Sequence, residues 1–180
     1  MITQWNKSKK LHEACSKDDL RPVLNYVQFK DGRATATDGH ILVSIKDDEI
    51  TGEHYLHREY MQEVCKGKVN DTSLIDFDEL KILRVADGLE IKITDEEQQY
   101  PNWDRVVPKY ETPLKIAVDA KLVARLAKAL GDDELILHID APDGAIYVES
   151  YNQVEHEEVS KDDRDFAILM PIRLDKALTE

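Results

Sequence analysis

Three Asp-Gly pairs between strand-like apolar runs constrain the fold of this 180-residue chain more than any other feature. The aspartates are Asp31, Asp87 and Asp143, so both intervals are 56 residues long. Asp-Gly favours a β-hairpin because a type I′ turn requires positive φ at both central residues. Equal spacing of three hairpins therefore predicts three copies of one supersecondary unit, with chance spacing of a common dipeptide as the alternative.

The third copy shows the clearest order of elements. Residues 114–118 are typical of a strand, and a helix follows them, with Asp119 as its N-cap and Gly131 as its stop. Strands come next in ELILHIDA, AIYVES and DFAILMPIRL, with QVEHEEV (153–159) as a further candidate. The order predicts an α+β fold in which each repeat packs a helix on antiparallel strands, with about three repeats in the chain.

The first two copies follow this order with less regular boundaries. In the first copy, a helix near 6–16 precedes strands in RPVLNYVQF, RATAT and HILVSI. In the middle copy, a helix over 54–67 precedes strands in SLIDFDELKILRV and LEIKIT. The segment 95–113 joins the middle copy to the third, and its prolines and aromatic residues predict an ordered connection that packs on the protein.

Composition indicates a globular protein and excludes several classes. Hydrophobic residues make up 42% of the chain and charged residues 34%. No run of about 18 apolar residues occurs, so we expect no membrane association, and the N-terminus lacks the apolar segment of a secretory signal. Cys15 and Cys65 are too few for a disulfide framework or a zinc site, which favours a cytoplasmic location.

No motif in the sequence indicates catalysis. The sequence contains no glycine-rich phosphate loop, no GxSxG and no HExxH. His54 and His57 lie three residues apart near Glu53, but two ligands do not make a metal site, and a surface face is the ordinary interpretation. We therefore predict no enzyme activity, catalytic residue, metal site or cofactor, with a hydrolase built on the scattered histidines and carboxylates as a weak alternative.

One stretch, ATDGHILV (36–43), places Asp38 close to His40. The pair suggests acid–base chemistry or metal binding, whereas Asp-Gly between apolar runs suggests a tight turn that joins two strands.

Charge is segregated along the chain, whose net charge is −13. Residues 131–165 carry a net charge of −10, whereas residues 119–130 carry +2. Within the predicted helix, Lys121, Arg125 and Lys128 lie at i, i+4 and i+7 and form a stripe along one side. The negative total charge argues against a protein that simply coats nucleic acid. The stripe is a locally positive surface on this negatively charged chain.

Three segments together resemble the bacterial DNA polymerase III beta subunit, the sliding clamp. LRPVLNYVQFKDGRATATDGHILV resembles that family's R-x-x-L-N strand with its ATDGHRLA turn, YPNWDRVVPK its F-P-x-Y-R-R-V-I-P linker, and DFAILMPIRL its VMPMRL end. With weaker patterning between them, the resemblance covers most of residues 10–174. It assigns 1–108 to a clamp-like domain of two repeats, similar to the clamp's middle domain, and 109–180 to a third repeat, similar to the second half of its last domain.

The resemblance implies a ring whose helices line a channel for double-stranded DNA. In such a ring, Lys121, Arg125 and Lys128 would face the DNA and make non-specific, salt-sensitive phosphate contacts. An ordinary amphipathic helix with a solvated basic face is the alternative. Because this chain has room for three repeats, a ring of the usual twelve needs four protomers, and a homo-oligomer is expected.

The resemblance also implies a pocket for short peptides of DNA polymerases or clamp loaders. Apolar walls and an adaptable methionine suit such a site. Without the resemblance, residues 168–172 would be interpreted as a buried strand. The pocket residues carried over position by position are Leu24, Thr37, Gly39, His40 and Leu42 from the first segment, Pro101, Arg105 and Val106 from the second, and Ile168, Met170, Pro171, Ile172 and Arg173 from the third.

Two departures from the family pattern bear on this pocket. Ile41 stands where the family usually has arginine, and the chain continues past Leu174 with Asp175–Glu180, a tail expected to cover the pocket or change its affinity. The leading prediction is a sliding-clamp-like replication or repair accessory protein that binds peptides and encircles DNA as an oligomer. The alternative is a clamp relative that binds and regulates clamp partners without encircling DNA.

Overall fold

The computed structural model describes residues 1–18, 20–107, 114–155 and 165–173. The chain divides into two compact units, Met1–Val106 and Val107–Glu180, called here the N-terminal and C-terminal units. The boundary expected after residue 108 falls in the segment 108–113, which lies outside the described residues, as does the tail from Leu174 onward.

The N-terminal unit holds two four-stranded antiparallel sheets. Helix α1 (Arg58–Val64) follows the fifth strand, and two 3₁₀ helices, Leu11–Ala14 and Pro22–Asn25, lie between the first two strands. The strands are β1 (Ile2–Trp5), β2 (Tyr26–Lys30), β3 (Arg33–Thr37), β4 (Leu42–Lys46), β5 (Glu53–His57), β6 (Ser73–Asp76), β7 (Lys81–Arg84) and β8 (Leu89–Lys92).

The two repeats of this unit exchange their first strands. The sheet orders are β4-β3-β2-β5 and β1-β6-β7-β8. Strand β1 begins the first repeat but pairs with β6 of the second, and β5 begins the second repeat but pairs with β2 of the first. The exchange joins both repeats in one core, where the ring of Phe29 lies 6.0 Å from that of Trp5 and 5.2 Å from that of Phe77.

The C-terminal unit holds one three-stranded antiparallel sheet in the order β11-β10-β9. Its elements are α2 (Ala120–Leu130), β9 (Leu135–His138), β10 (Ile146–Ser150), α3 (Tyr151–Glu155) and β11 (Phe166–Leu169). The strand predicted over 114–118 is reduced to one bridge between Ala117 and Ile172. Helix α2 packs on a thin core, whose buried side chains are Ile146, Val148 and Leu169 and whose partly buried neighbours include Val123, Leu126 and Leu130.

Helix α2 has the boundaries that its sequence predicts. The carboxylate of Asp119 accepts the N–H of Lys121 at 2.8 Å, and Gly131 ends the helix at φ 70°. Both ends are therefore fixed by local chemistry. The predicted α+β fold, in which helices pack on antiparallel strands, is confirmed.

All three Asp-Gly pairs connect antiparallel strands, but they are not equivalent. Asp31 and Gly32, at φ 49° and 72°, make the two-residue turn expected between β2 and β3. Gly88 ends a longer loop, and Gly144 lies in a loop without positive φ. The middle pair joins the second and third strands of its meander, whereas the other two join the first and second. The three repeats exist, but the equal spacing of the pairs does not mark one position within them.

Three predicted elements differ from the structure. The helix near 6–16 is replaced by a turn and the 3₁₀ helix Leu11–Ala14, because the side chain of Asn6 accepts the N–H of Ser8 at 3.0 Å and turns the chain. The helix over 54–67 begins only at Arg58, since the preceding residues pair with β2. The candidate strand 153–159 starts as helix α3, and its residues 156–159 lie outside the described part of the chain.

The connection that follows β8 packs along the polar face of the β4-β3-β2-β5 sheet, which keeps Gln28 only 6% exposed. Hydrogen bonds that involve aromatic and carboxylate side chains hold this connection against the sheet. The contacts are the N–H of Tyr55 to Asp95 at 2.8 Å, the hydroxyl of Tyr100 to the Thr35 carbonyl at 3.4 Å, and Nε1–H of Trp103 to Oε1 of Gln28 at 3.1 Å.

Within the described residues, every helix is too short or too polar to cross a lipid bilayer.

Candidate functional site

The turn in ATDGHILV is built from its own polar side chains. The hydroxyl of Thr37 donates to the carbonyl of Ile41 at 2.6 Å and accepts the N–H of Gly39 at 3.1 Å. The carboxylate of Asp38 accepts the N–H groups of Ile41 and His40, at 2.9 and 2.8 Å. These donors hold the pKa of Asp38 below its usual range. Asp38 is therefore committed to the turn rather than to acid–base chemistry.

The remaining expected site residues of this segment differ in accessibility. Leu24 is 5% exposed and Thr37 8%, so neither offers much surface to a ligand. His40 is exposed at the tip of the turn, and Leu42 is half-buried at the start of β4.

A cation approaches the turn from the preceding segment. Gly39 has φ 96°, and a Cβ built there would lie 3.8 Å from the guanidinium of Arg21. Ile41, which replaces the arginine expected from the resemblance, is 50% exposed. Arg21, the arginine of the R-x-x-L-N segment, thus places positive charge beside a turn that carries no arginine of its own.

The second expected segment lies on the surface of the N-terminal unit. Pro101 and Arg105 are exposed, and Val106 is 70% exposed. A 3₁₀ helix over Trp103–Arg105 carries Arg105 and leads into Val106.

The third expected segment lies on an edge strand of the C-terminal unit. Among the described strands, β11 is hydrogen-bonded to β10 alone. The interpretation of 168–172 as a buried strand is wrong, because only one of its apolar side chains, Leu169, is buried. The others are accessible, with Ile168 49%, Met170 62% and Ile172 53% exposed, Pro171 half-buried and Arg173 exposed.

A groove of about 640 Å³ lies between α2 and β11. Leu126 and Leu169 lie at its base, and the cations Arg125 and Lys128 are exposed at its rim. The structure thus brings two residues expected to contact DNA next to residues expected to bind peptides, while Lys121 is exposed outside the groove. The complete lining is Leu122, Arg125, Leu126, Lys128, Ala129, Ile168, Leu169 and Met170.

Comparison with solved structures gives the architecture a precedent. The DNA polymerase sliding clamp from Bacillus subtilis superposes with a TM-score of 0.66, over 95% of this chain and 49% of its own, at 16% identity. The sliding clamp from Pseudomonas aeruginosa, crystallised with a ligand, superposes with a TM-score of 0.63. The match covers 95% of this chain and 51% of the clamp chain, at 17% identity. The chain has the sliding-clamp fold.

The similarity concerns the fold, and it extends over about half of each clamp chain. The beta chain of DNA polymerase III from Streptococcus pneumoniae TIGR4 gives a TM-score of 0.59 over 96% of this chain and 50% of its own, at 17% identity. This chain therefore spans about half the length of the clamps that it matches. No family model and no curated protein matches the sequence.

Part of the groove in this clamp-like unit was not predicted. Helical spacing assigns Leu122 and Leu126 to the face that packs on a sheet. The sheet beneath α2 has three described strands, and Leu122 remains 37% exposed. Sequence periodicity gives the direction of a helix face but not the width of the sheet that covers it.

The histidine and cysteine side chains elsewhere in the described residues were the remaining candidates for metal binding or nucleophilic chemistry. No group of three histidine, cysteine or carboxylate side chains there is placed to hold a metal ion. Burial raises the pKa of the Cys15 thiol to about 12 and that of Cys65 to about 11, so neither is a thiolate at neutral pH. His54 lies 2.6 Å from Asp95 and stacks on Phe77, which explains its position without a ligand.

Proposed function

We propose that this chain is a non-enzymatic accessory protein of DNA replication or repair that assembles around double-stranded DNA and tethers partner proteins. The observation that supports the proposal is the clamp fold together with an exposed cationic stripe on an acidic unit. Lys121, Arg125 and Lys128 are all exposed on α2, whereas residues 131–165 carry a net charge of −10. Segregation of this kind permits phosphate contact despite a negative total charge.

The proposed DNA contact is non-specific. Lysine and arginine that meet phosphates release counterions, so the affinity falls as salt rises and carries little sequence information. Such contacts permit sliding along the duplex, which is the behaviour that a mobile tether requires.

The proposed ring is a homo-oligomer. One chain holds three repeats, about half of the clamps that it matches. Several copies are therefore needed to enclose a duplex, and by the twelve-repeat plan of the clamp family the number is four.

The proposed partner site uses the exposed apolar side chains of the C-terminal segment. Ile168, Met170 and Ile172 are each about half exposed or more. Short peptides bind such surfaces through a few apolar anchors. We expect Met170→Arg to abolish binding of a labelled clamp-binding peptide while the fold is retained, because Met170 is 62% exposed. His40→Ala measures separately whether the turn of the N-terminal unit contributes.

Topological retention on DNA tests the ring. The protein is incubated with nicked circular DNA, and half of the sample is linearised before gel filtration. A ring stays on the circle at moderate salt and slides off the linear form, whereas a protein that merely adheres to phosphate leaves both at the same rate. Equal loss from both forms would rule out encirclement.

A second candidate is a clamp relative that binds and regulates clamp partners without encircling DNA. The net charge of −13 favours it, because carboxylates repel the phosphates of DNA. Peptide binding by a monomer that shows no retention on circular DNA would select this candidate.

A further inference from the structure

We infer that a small cavity in the N-terminal unit binds inorganic phosphate between the ammonium of Lys7 and the guanidinium of Arg84. The inference goes beyond the proposed function, because it assigns a ligand to a part of the chain that neither the DNA contact nor the partner site uses.

The cavity lies where the two repeats of the N-terminal unit meet. Its walls come from the segment after β1, from the loop between α1 and β6, and from the end of β7. Its volume is about 260 Å³, below the roughly 300–1,000 Å³ of typical ligand pockets, so it suits a small ion rather than a nucleotide. The lining residues include Lys7, Lys66, Gly67, Asp71, Arg84 and Asp87.

Lys7 is buried without a counter-ion among the described residues. The residue is 3% exposed, and its ammonium donates to the carbonyl of Lys66 at 2.8 Å. It forms no ion pair with a described carboxylate. A lysine is almost never buried to this extent unless it is paired, because removing an ammonium from water is costly. An anion in the adjoining cavity would balance this charge.

Arg84 adds a second donor to the same cavity. Its Nη2–H donates to the carboxylate of Asp87 at 2.7 Å, and its Nη1 lies 3.7 Å from a carboxylate oxygen of Glu63. Its Nε is buried and has no hydrogen-bond partner among the described residues. A buried N–H without an acceptor is costly, so Nε favours an acceptor in the cavity that Arg84 lines. Several oxygens of one phosphate can accept from both cations together.

The two carboxylates that line the cavity already accept hydrogen bonds. Asp87 accepts from Arg84, and Asp71 accepts the N–H of Lys68 at 2.9 Å. The lining holds three cations, Lys7, Lys66 and Arg84, against these two carboxylates, so its net charge is +1. This balance favours an anion over a cation.

Gly67 leaves room beside the ammonium. A Cβ built there would lie 3.3 Å from Nζ of Lys7 and 3.1 Å from the carboxylate of Asp71, and the φ of 95° also favours glycine. Glycine thus allows the backbone to approach a charged site closely. Because phosphate would contact Lys7 of the first repeat and Arg84 of the second, it would stabilise the N-terminal unit against unfolding.

Thermal unfolding of the full-length chain tests the site. Tryptophan fluorescence is the readout, since both tryptophans lie in the N-terminal unit. Sodium phosphate is compared with sodium chloride at equal pH and ionic strength. We expect about 10 mM phosphate to raise the unfolding temperature by about 3–6 °C, the shift for one site with a dissociation constant of about 1 mM. Equal unfolding temperatures in the two salts would overturn the inference.

Variants separate a bound ion from the general stabilisation that phosphate exerts on proteins. Lys7→Met should lose the additional rise and still fold, because replacing a buried charge with an apolar side chain of similar volume is often neutral or stabilising. Arg84→Lys keeps the charge but lacks Nε, so it should bind phosphate about three- to tenfold more weakly. Lys68→Gln, at an exposed lysine of the same loop, is the matched control and should respond as the natural chain does. An equal rise in the natural chain and Lys7→Met would overturn the inference, as would loss of the rise in Lys68→Gln alone.

Isothermal titration calorimetry of the natural chain needs no variant. We expect saturable binding of one phosphate per chain, and the absence of saturable heat up to about 10 mM phosphate would overturn the inference.

A duplex identifies the source of the phosphate. A 30-base-pair duplex should leave the affinity for free phosphate unchanged, whereas competition between them would assign the site to the DNA backbone and overturn the inference. The outcomes are separable from the proposed function, since retention on circular DNA without phosphate binding defeats the inference alone. Phosphate binding without retention defeats the ring alone.

Discussion

Asp132 joins three parts of the C-terminal unit through its two carboxylate oxygens. One oxygen accepts the hydroxyl of Ser150 at 2.6 Å and the N–H of Asn152 at 3.0 Å. The other accepts the N–H of Glu134 and the side-chain amide of Asn152, both at 3.0 Å. These donors, the Ser150 hydroxyl first among them, lower the pKa of Asp132 to about 2.

Replacing Asp132 with Asn should change how stability depends on pH. Because the folded-state pKa lies below the ordinary value of 3.8, the carboxylate stabilises the folded protein above about pH 4, and this contribution is lost as pH falls toward about 2. We expect Asp132→Asn to unfold at lower urea than the natural chain at pH 7, and to lose less stability between pH 4 and 2. Circular dichroism at several pH values checks this, with Asp133→Asn, an exposed neighbour, as the control. Parallel pH curves for the natural chain and Asp132→Asn would contradict it.

Gly39 is required by the backbone of its turn. At φ 96°, a side chain is strained whatever space surrounds it. We expect Gly39→Ala to lower the free energy of unfolding by about 1–2 kcal/mol, and His40→Ala, in the same turn, to change it by less than about 0.5 kcal/mol. Tryptophan fluorescence in urea is the readout, since both tryptophans lie in the N-terminal unit. The same cost in both variants would show that the backbone is not the cause.

At the level of elements, the connection after β8 covers a sheet face that would otherwise expose polar groups. Trp103→Phe keeps an aromatic ring but removes the donor to Gln28, which is 6% exposed. We expect a loss of about 1–2 kcal/mol in the free energy of unfolding, because a buried acceptor is left without its partner. Limited proteolysis should cut the connection faster. Asn102→Ala, at an exposed neighbour, should leave both measurements unchanged.

Elements specified by local chemistry were predictable from the sequence. Helix α2 carries its own cap, stop and apolar period, so its bounds agree with the prediction. The turn at Asp31-Gly32 is likewise local. The prediction of a helix near 6–16 was wrong because a side-chain turn at Asn6, directly after β1, outweighed helical spacing. The exchange of β1 and β5 depends on contacts distant in sequence, which no local pattern shows.

The candidate site was predictable only in part, for the same reason. The resemblance indicated Ile168 and Met170, and helical spacing indicated the stripe of cations. The groove is bordered by Arg125 and Lys128 on one side and by Ile168 and Met170 on the other. This arrangement depends on how α2 crosses the sheet. The exposure of Leu122 depends on the width of that sheet. Neither property is contained in a periodic pattern.

At the level of the whole molecule, the cationic stripe should account for the salt dependence of DNA binding. Replacing Lys121, Arg125 and Lys128 together with Gln removes up to three phosphate contacts per chain. Each contact contributes about 0.9 to the slope of log affinity against log salt. We expect weaker binding of a 30-base-pair duplex and a shallower slope, measured by anisotropy from 50 to 200 mM salt. Gln at exposed Lys46, Lys68 and Lys92 in the N-terminal unit gives a charge-matched control, and an equal effect there would contradict the assignment.

The central claim is that several copies of this chain enclose DNA, and molar mass in solution tests it most directly. Light scattering coupled to gel filtration, with and without nicked circular DNA, measures the mass at micromolar concentration. The account predicts one discrete multiple of the 20.7 kDa chain, four copies by the twelve-repeat plan, alone or on the DNA. A strict monomer that does not assemble on DNA would contradict it.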